Sequence, residues 1–241
     1  MREIWPNDTK QDELLWRYFK PERLLESLGS RTLHFPSARQ FSDPFEGAVA
    51  VLRHDFPVDP RYQELSPIDR AFEDLRRLTK LTCWHRADYE SHAMWHTYAA
   101  AGKGVAVRTT PQRLQSSLRP FRLKPKYAEE VPYYGNVRYV DLHAVRLRAS
   151  MDERFFYKHR AFESEREFRV AIFLRHADFY GVEVPEQGID VEFDPAVLIE
   201  SIYFGPFLSE ADRLLIGKAC QSVGVNVQPV FSSLLGQPRY V

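Results

Sequence analysis

Three charged residues, Glu165, Glu167 and Arg169, are spaced two apart in the sequence and could support acid–base or electrostatic chemistry. Because side chains alternate along a strand, this spacing places all three on one face. Two adjacent carboxylates on one face push one pKa upward, which general acid–base catalysis can use. The pattern predicts either a solvated strand edge or the wall of a cleft. The opposite face is predicted to be core, and its apolar residues are Phe168, Val170, Ile172 and Leu174.

Two helices are predicted beside this strand. The segment before it predicts a helix that buries Phe155, Phe156 and Phe162. A second helix is predicted to begin at the capping residue Ser91 and to end at Gly102. Its apolar residues Met94, Trp95 and Tyr98 are more typical of a core than of a site, although a buried Tyr98 hydroxyl would need a polar partner.

A metal centre is a weaker alternative. Cys83, His85, His92 and His96 have a ligand set and an i, i+4 histidine pair that suit zinc. No CxxC motif and no HExxH motif accompany them, so we assign no metal ligands. The glycine-rich phosphate loops and the GxSxG nucleophile motif are also absent, which disfavours hydride transfer, P-loop chemistry and serine hydrolysis.

Composition narrows the function classes further. The 241 residues contain 33 Lys+Arg and 33 Asp+Glu, and this balance removes the usual case for a protein that coats nucleic acid. The longest apolar stretches, such as residues 197–202, are too short to cross a bilayer, and the start does not resemble a signal peptide. Two cysteines cannot build a disulfide framework. We therefore expect a cytoplasmic protein with no membrane partner and no strong nucleic-acid signal.

Proline and capping residues mark the starts of several helices, and short alternating strands lie between them. Helices and strands do not alternate regularly enough for a wound parallel sheet. We predict an α+β fold, with mixed, mostly antiparallel sheets and flanking helices. We predict a single domain over residues 1–241, with a helical insertion near residues 55–80.

Three blocks of sequence resemble the bacterial family known as domain of unknown function 2971. The first ends in FSDPFEG at residues 41–47, similar to the family's F-N-D-P-F-E-G with Ser42 in place of asparagine. The second is MWHTYA at residues 94–99, followed by KGVAV. The third, residues 162–169, is similar to W-x-Y-E-x-E-W-R and retains Glu165, Glu167 and Arg169. The family name itself implies no activity.

A second resemblance, to ADP-ribosyltransferase-like toxins, depends on an opening strand, a helix of the form leu-leu-x-x-leu, a strand that ends in Phe35-Pro36-Ser37 and a late strand with the E-x-E pattern. This resemblance implies a nucleotide-binding cleft with NAD as substrate and no resident cofactor. It implies Arg17 or His34 as the dinucleotide anchor, Trp95 or Tyr98 as the group that stacks on nicotinamide, and Glu165 or Glu167 as the catalytic acid. Ser42, Asp43, Glu46 and Arg169 would complete the cleft. The function implied is a toxin or antiphage effector that transfers ADP-ribose or cleaves NAD, with an unknown macromolecular target. A carboxylate beside an oxocarbenium-like state stabilises it without a metal.

Two other hypotheses remain open. In the first, the protein is a non-catalytic ligand- or partner-binding module, and its carboxylates pair with Arg17 and Arg169 in a buried network. In the second, Asp43, Glu46, Glu165 and Glu167 bind a metal in a nuclease site.

Overall fold

Short strands and helices follow one another irregularly along the chain. The computed structural model describes residues 1–51, 67–226 and 228–240, without the side chains of residues 67–69. The strands in these residues are β1 (Arg2–Glu3), β2 (Leu15–Phe19), β3 (Thr32–Pro36), β4 (Thr79–Arg86), β5 (Val105–Thr109), β6 (Tyr133–Asn136), β7 (Arg138–Val140), β8 (Tyr157–His159), β9 (Glu167–Phe173), β10 (Gly188–Glu192), β11 (Ser201–Phe204) and β12 (Val230–Phe231). The α-helices are α1 (Pro21–Ser30), α2 (Pro67–Leu78), α3 (His92–Tyr98), α4 (Pro111–Ser117), α5 (Arg175–Phe179), α6 (Pro195–Leu198) and α7 (Glu210–Ser222).

The fold class is α+β, as predicted. Antiparallel pairs join β2 to β4, β2 to β5, β5 to β11 and β6 to β9, whereas β1–β6, β7–β8 and β11–β12 are parallel. The sheet is therefore mixed and mostly antiparallel, with helices at its flanks. None of the helices in the described residues combines the length and apolar character needed to cross a membrane.

The chain divides into two compact units, which we describe separately. The first unit comprises Met1–Thr9, His34–Cys83 and Pro120–Asp190. The second unit comprises Lys10–Leu33, Trp84–Arg119 and Val191–Val241. Of the predicted helical insertion near residues 55–80, residues 55–66 lie outside the described residues, and α2 covers most of the remainder.

Strand β9 is an inner strand of the first unit, in the order β1, β6, β9 and β4. All seven residues of β9 are buried, including Glu167 and Arg169. The expectation that their face is a solvated edge is therefore wrong, because elements on both faces of β9 exclude water. The core beside it includes Trp5, Leu75, Leu81, Phe155, Phe156 and Phe173.

The core of the second unit lies where α3 packs on β2 and β5. Trp16, Tyr18, Met94, Trp95 and Ala106 form a buried cluster there. Ser91 begins α3 as predicted, because its hydroxyl accepts a hydrogen bond from the Met94 amide. The helix ends at Tyr98, before Gly102, and Tyr98 is 46% exposed, so the prediction of a buried Tyr98 is wrong.

The segment before β9 also differs from its prediction. Two 3₁₀ turns, Glu153–Phe156 and Arg160–Glu165, flank β8 in place of one continuous helix. Phe155 and Phe156 are buried as predicted, but Phe162 is only partly buried. Helix α1 includes Gly29 and is capped at its C-terminus by Arg31, which adopts the left-handed conformation.

Candidate functional site

Arg169 is the centre of a buried ionic network in the first unit. Its side chain is completely excluded from solvent. The guanidinium donates two hydrogen bonds to Glu46, from Nη1 to Oε1 at 2.6 Å and from Nη2 to Oε2 at 2.9 Å. It also donates from Nε to Glu167 Oε2 at 2.7 Å and from Nη1 to the Phe155 carbonyl at 2.6 Å. This fork geometry satisfies both oxygens of Glu46.

Lys158 extends the network to a third carboxylate. Its ammonium donates to Glu167 Oε1 at 2.6 Å and to Glu165 Oε2 at 2.5 Å, and only 5% of its side chain is exposed. Glu165 also hydrogen-bonds to Glu167 and is 18% exposed. We call Glu46, Lys158, Glu165, Glu167 and Arg169 the buried ionic network.

A tight loop at residues 43–47 delivers Glu46 to this network. The Asp43 carboxylate accepts a hydrogen bond from the Phe45 amide at 2.9 Å, which fixes the turn. Gly47 has a positive φ of 76°, and a Cβ at this position would lie 2.8 Å from a ring carbon of Phe155. Because the Phe155 carbonyl also accepts a hydrogen bond from Arg169, the 43–47 loop and the buried ionic network stabilise each other.

Burial and the neighbouring charges set opposite pKa shifts for the carboxylates. Burial alone would raise the pKa of Glu167, but Arg169 and Lys158 outweigh this effect and lower it. Burial and the hydrogen bond to Glu167 raise the pKa of Glu165. Burial also raises the pKa of Glu46, since Arg169 offsets only part of the desolvation. When Glu165 carries a proton, two cations face two carboxylates, and the network is electrically neutral.

Lys158 and Tyr139, which the sequence analysis did not select, and Cys83, which it considered only as a metal ligand, contact Glu167. Besides Lys158, the Tyr139 hydroxyl accepts a hydrogen bond from the Glu167 amide at 2.7 Å. The Cys83 thiol hydrogen-bonds to Glu167, and burial raises its pKa, so the thiol stays protonated. No motif marks Tyr139 or Cys83 as a partner of Glu167. Lys158 lies just before the third motif block, nine residues before Glu167.

The structure brings together four of the predicted site residues, Glu46, Glu165, Glu167 and Arg169. Asp43 shapes the adjoining loop, and Ser42 is exposed. His34 is also in the first unit, where its Nδ1 lies 2.8 Å from Asp190 Oδ1 at the surface.

The remaining predicted site residues belong to the second unit. The Arg17 guanidinium lies over the rings of Phe19 and Trp84 at 5.1 and 5.7 Å. Trp95 is buried and donates from Nε1 to Glu90 at 2.7 Å, while Tyr98 ends α3 at the surface.

Neither metal alternative matches the geometry of the described residues. In the part of the chain that the structure describes, no three His, Cys, Asp or Glu side chains converge as a metal site. The Cys83 thiol is hydrogen-bonded to Glu167, and His92 and His96 are exposed on α3. Glu46 and Glu167, two of the four carboxylates of the nuclease alternative, already share Arg169.

The first unit also contains a cavity of about 300 Å³ beside the 43–47 loop. Glu46 and Gly47 contribute to its wall, together with Phe72 and Arg76 of α2 and with Arg154. A cavity of this volume is at the lower end of the range for small-molecule sites.

These features define an α+β protein built around a buried ionic network. Residues 94–170 match the family model described as "Protein of unknown function (DUF2971)", which confirms the family resemblance predicted from the sequence. The match covers the second and third motif blocks and includes Glu165, Glu167 and Arg169. No curated protein shows a significant sequence match to the chain.

Proposed function

We propose that this protein is a non-catalytic ligand-binding module and that the buried ionic network holds its fold. The observation that carries this proposal is the complete pairing of the two most buried carboxylates. Both oxygens of Glu46 bind Arg169, and the two oxygens of Glu167 bind Arg169 and Lys158. A carboxylate that stabilises positive charge on a reacting group does so less well when neighbouring cations already neutralise it. Here Arg169 and Lys158 neutralise the negative charge of Glu46 and Glu167.

The cavity beside the 43–47 loop supports the binding role. Glu46 belongs both to the buried ionic network and to one wall of this cavity. The network can therefore hold that wall in place without binding a ligand itself. A nucleotide-like small molecule and a cytoplasmic location remain predictions of this proposal.

An assay of NAD consumption by the purified full-length chain tests the proposal. We expect wild-type protein to leave NAD intact across a panel of macromolecular acceptors. We expect Glu167→Gln to lower the melting temperature, because it weakens the contacts to Arg169 and Lys158. NAD turnover by the wild type would overturn the proposal.

The second candidate function is ADP-ribosyl transfer or NAD cleavage, as a toxin or antiphage effector. It is favoured by Glu165, whose carboxyl has a raised pKa and the largest exposure in the network. In this candidate Glu165 or Glu167 acts at the nicotinamide ribose, as the resemblance to ADP-ribosyltransferase-like toxins implies.

A matched pair of variants tests this second candidate. Glu165→Gln should abolish NAD turnover while the melting temperature stays close to that of wild type. Glu163→Gln, an exposed neighbour in the same turn, should retain full turnover. Turnover that survives in Glu165→Gln and in Glu167→Gln would contradict a catalytic role for either carboxylate.

A further inference from the structure

Arg154 differs from every member of the buried ionic network because it is buried without an ionic partner among the described residues. It is 6% exposed, and its guanidinium carbon lies 4.3 Å from the centre of the Phe72 ring. Its Nε has no hydrogen-bond partner, and no described carboxylate lies within 4.0 Å of the guanidinium. Burial lowers its pKa with no neighbouring acid to oppose the shift. A buried cation left in this state is costly.

The nearby acidic residues are occupied elsewhere. Asp152 pairs with Arg175 at 2.5 Å, and the Glu153 carboxylate accepts a hydrogen bond from the Ser150 amide at 2.7 Å. The sequence around Arg154 therefore contains acids, but the fold directs them away from its guanidinium.

Among the described residues that line the cavity, Arg154 is the charged side chain that lacks an ion-pair partner. Glu46 is neutralised by Arg169, and Glu73 pairs with Arg76 at 3.0 Å. The Nε of Arg76 is buried without a hydrogen-bond partner, so this side chain has a donor to spare. The cavity thus combines one unpaired guanidinium, a second guanidinium with unused capacity and an aromatic ring.

We propose that this cavity binds a small oxyanion, the phosphate or carboxylate group of a metabolite, with Arg154 as its principal ligand. Arg76 serves as the second donor. The planar fork of arginine matches either group through two parallel hydrogen bonds. Phe72 holds the guanidinium in place by stacking. The proposal deepens the proposed binding function and rests on it, because it names the ligand class.

Anion titration of the full-length protein tests the proposal. Inorganic phosphate and acetate are titrated separately by calorimetry, so that the two arms distinguish a phosphate ligand from a carboxylate ligand. We expect saturable one-site binding of at least one anion. Arg154→Gln should weaken it by about tenfold or more, because it removes a charged donor pair.

Two other variants complete the experiment. Arg39→Gln is the matched control, because Arg39 belongs to the same unit but is 59% exposed and pairs with Glu186. It should change the affinity by less than about twofold. Arg76→Gln should weaken binding by a smaller factor than Arg154→Gln, and it keeps the test decisive if Arg154→Gln does not fold. Equal affinity in wild type, Arg154→Gln and Arg76→Gln would overturn the proposal, as would the absence of saturable binding in both arms.

Failure of this inference can be distinguished from failure of the proposed function. If neither anion binds and NAD stays intact, the anion site is refuted and the non-catalytic module stands. If wild-type protein consumes NAD, the proposed function fails whatever the titration shows.

Discussion

The Arg169 guanidinium and the Glu46 carboxylate, separated by 123 positions in the chain, form a two-point ion pair with both side chains wholly excluded from solvent. The pair joins the 43–47 loop to the inner strand β9. Pairs of this kind contribute little net stability compared with an apolar replacement of both partners, but the loss of one partner leaves a buried charge uncompensated. The first unit therefore depends on both residues together.

Arg169→Met should destabilise the protein strongly. It removes the guanidinium that binds both oxygens of Glu46, and it leaves Lys158 as the hydrogen-bonded cation of Glu167 among the described residues. We expect the free energy of unfolding to fall by about 3–5 kcal/mol, measured by urea denaturation. Arg39→Met, at an exposed ion pair, should change it by about 0.5 kcal/mol or less. A loss below about 1 kcal/mol in Arg169→Met would show that the network is dispensable for folding.

Arg154→Met should have the opposite effect, although Arg154 is buried to nearly the same extent. The substitution removes a desolvated cation that has no ionic partner in the part of the chain that the structure describes, and it keeps an apolar side chain against Phe72. We expect the melting temperature in an anion-free buffer to stay the same or to rise. Thermal denaturation of Arg154→Met beside Arg169→Met gives the comparison. A large loss in Arg154→Met would mean that its guanidinium has a stabilising partner.

Gly47→Ala should disrupt the 43–47 loop. The residue has a positive φ, and the added Cβ would clash with the Phe155 ring. Gly181→Ala is the control, since Gly181 also has a positive φ but has open space around it. We expect both variants to show backbone strain and Gly47→Ala to lose about 1–3 kcal/mol more in urea denaturation, from overpacking. Equal losses would show that the Phe155 ring yields without cost.

Glu165 and Glu167 should affect the pH dependence of stability with opposite signs. The pKa of Glu165 is raised by folding, so its stabilising contribution is present below the unfolded pKa of about 4.3 and is lost as pH rises through the folded pKa. The pKa of Glu167 is lowered, so its contribution is present above the unfolded pKa and is lost as pH falls.

Urea denaturation across a pH series checks these signs. The free energy of unfolding of wild type minus that of Glu165→Gln should decrease as pH rises from about 4. The same difference for Glu167→Gln should increase as pH rises through the acid range towards about 4.3, and it should level off above that pH. The control difference for the exposed Glu163→Gln should be nearly flat. Slopes of the same sign for Glu165→Gln and Glu167→Gln would refute the assigned protonation states.

Local sequence information was sufficient for the fold class and for several element boundaries. The cap of α3 at Ser91 and the alternation along β9 depend on neighbouring residues, so a single sequence contains them. The motif blocks also singled out the four residues that the structure brings together in the network. Local signals failed at residues 153–165, where β8 pairs with β7 and the left-handed Arg166 separates the last turn from β9.

The sequence by itself determined an α+β chain, its well-capped helices and a strand that carries Glu167 and Arg169 on one face. Only the tertiary structure decided that this face is buried, because alternation with period two is the same whether water or protein covers the polar side. It also decided which arginine is paired. Arg169 meets Glu46 from a distant loop, whereas Arg154, with acidic neighbours in sequence, meets none of them. Ionic partners are chosen by packing in space, and sequence spacing does not encode that choice.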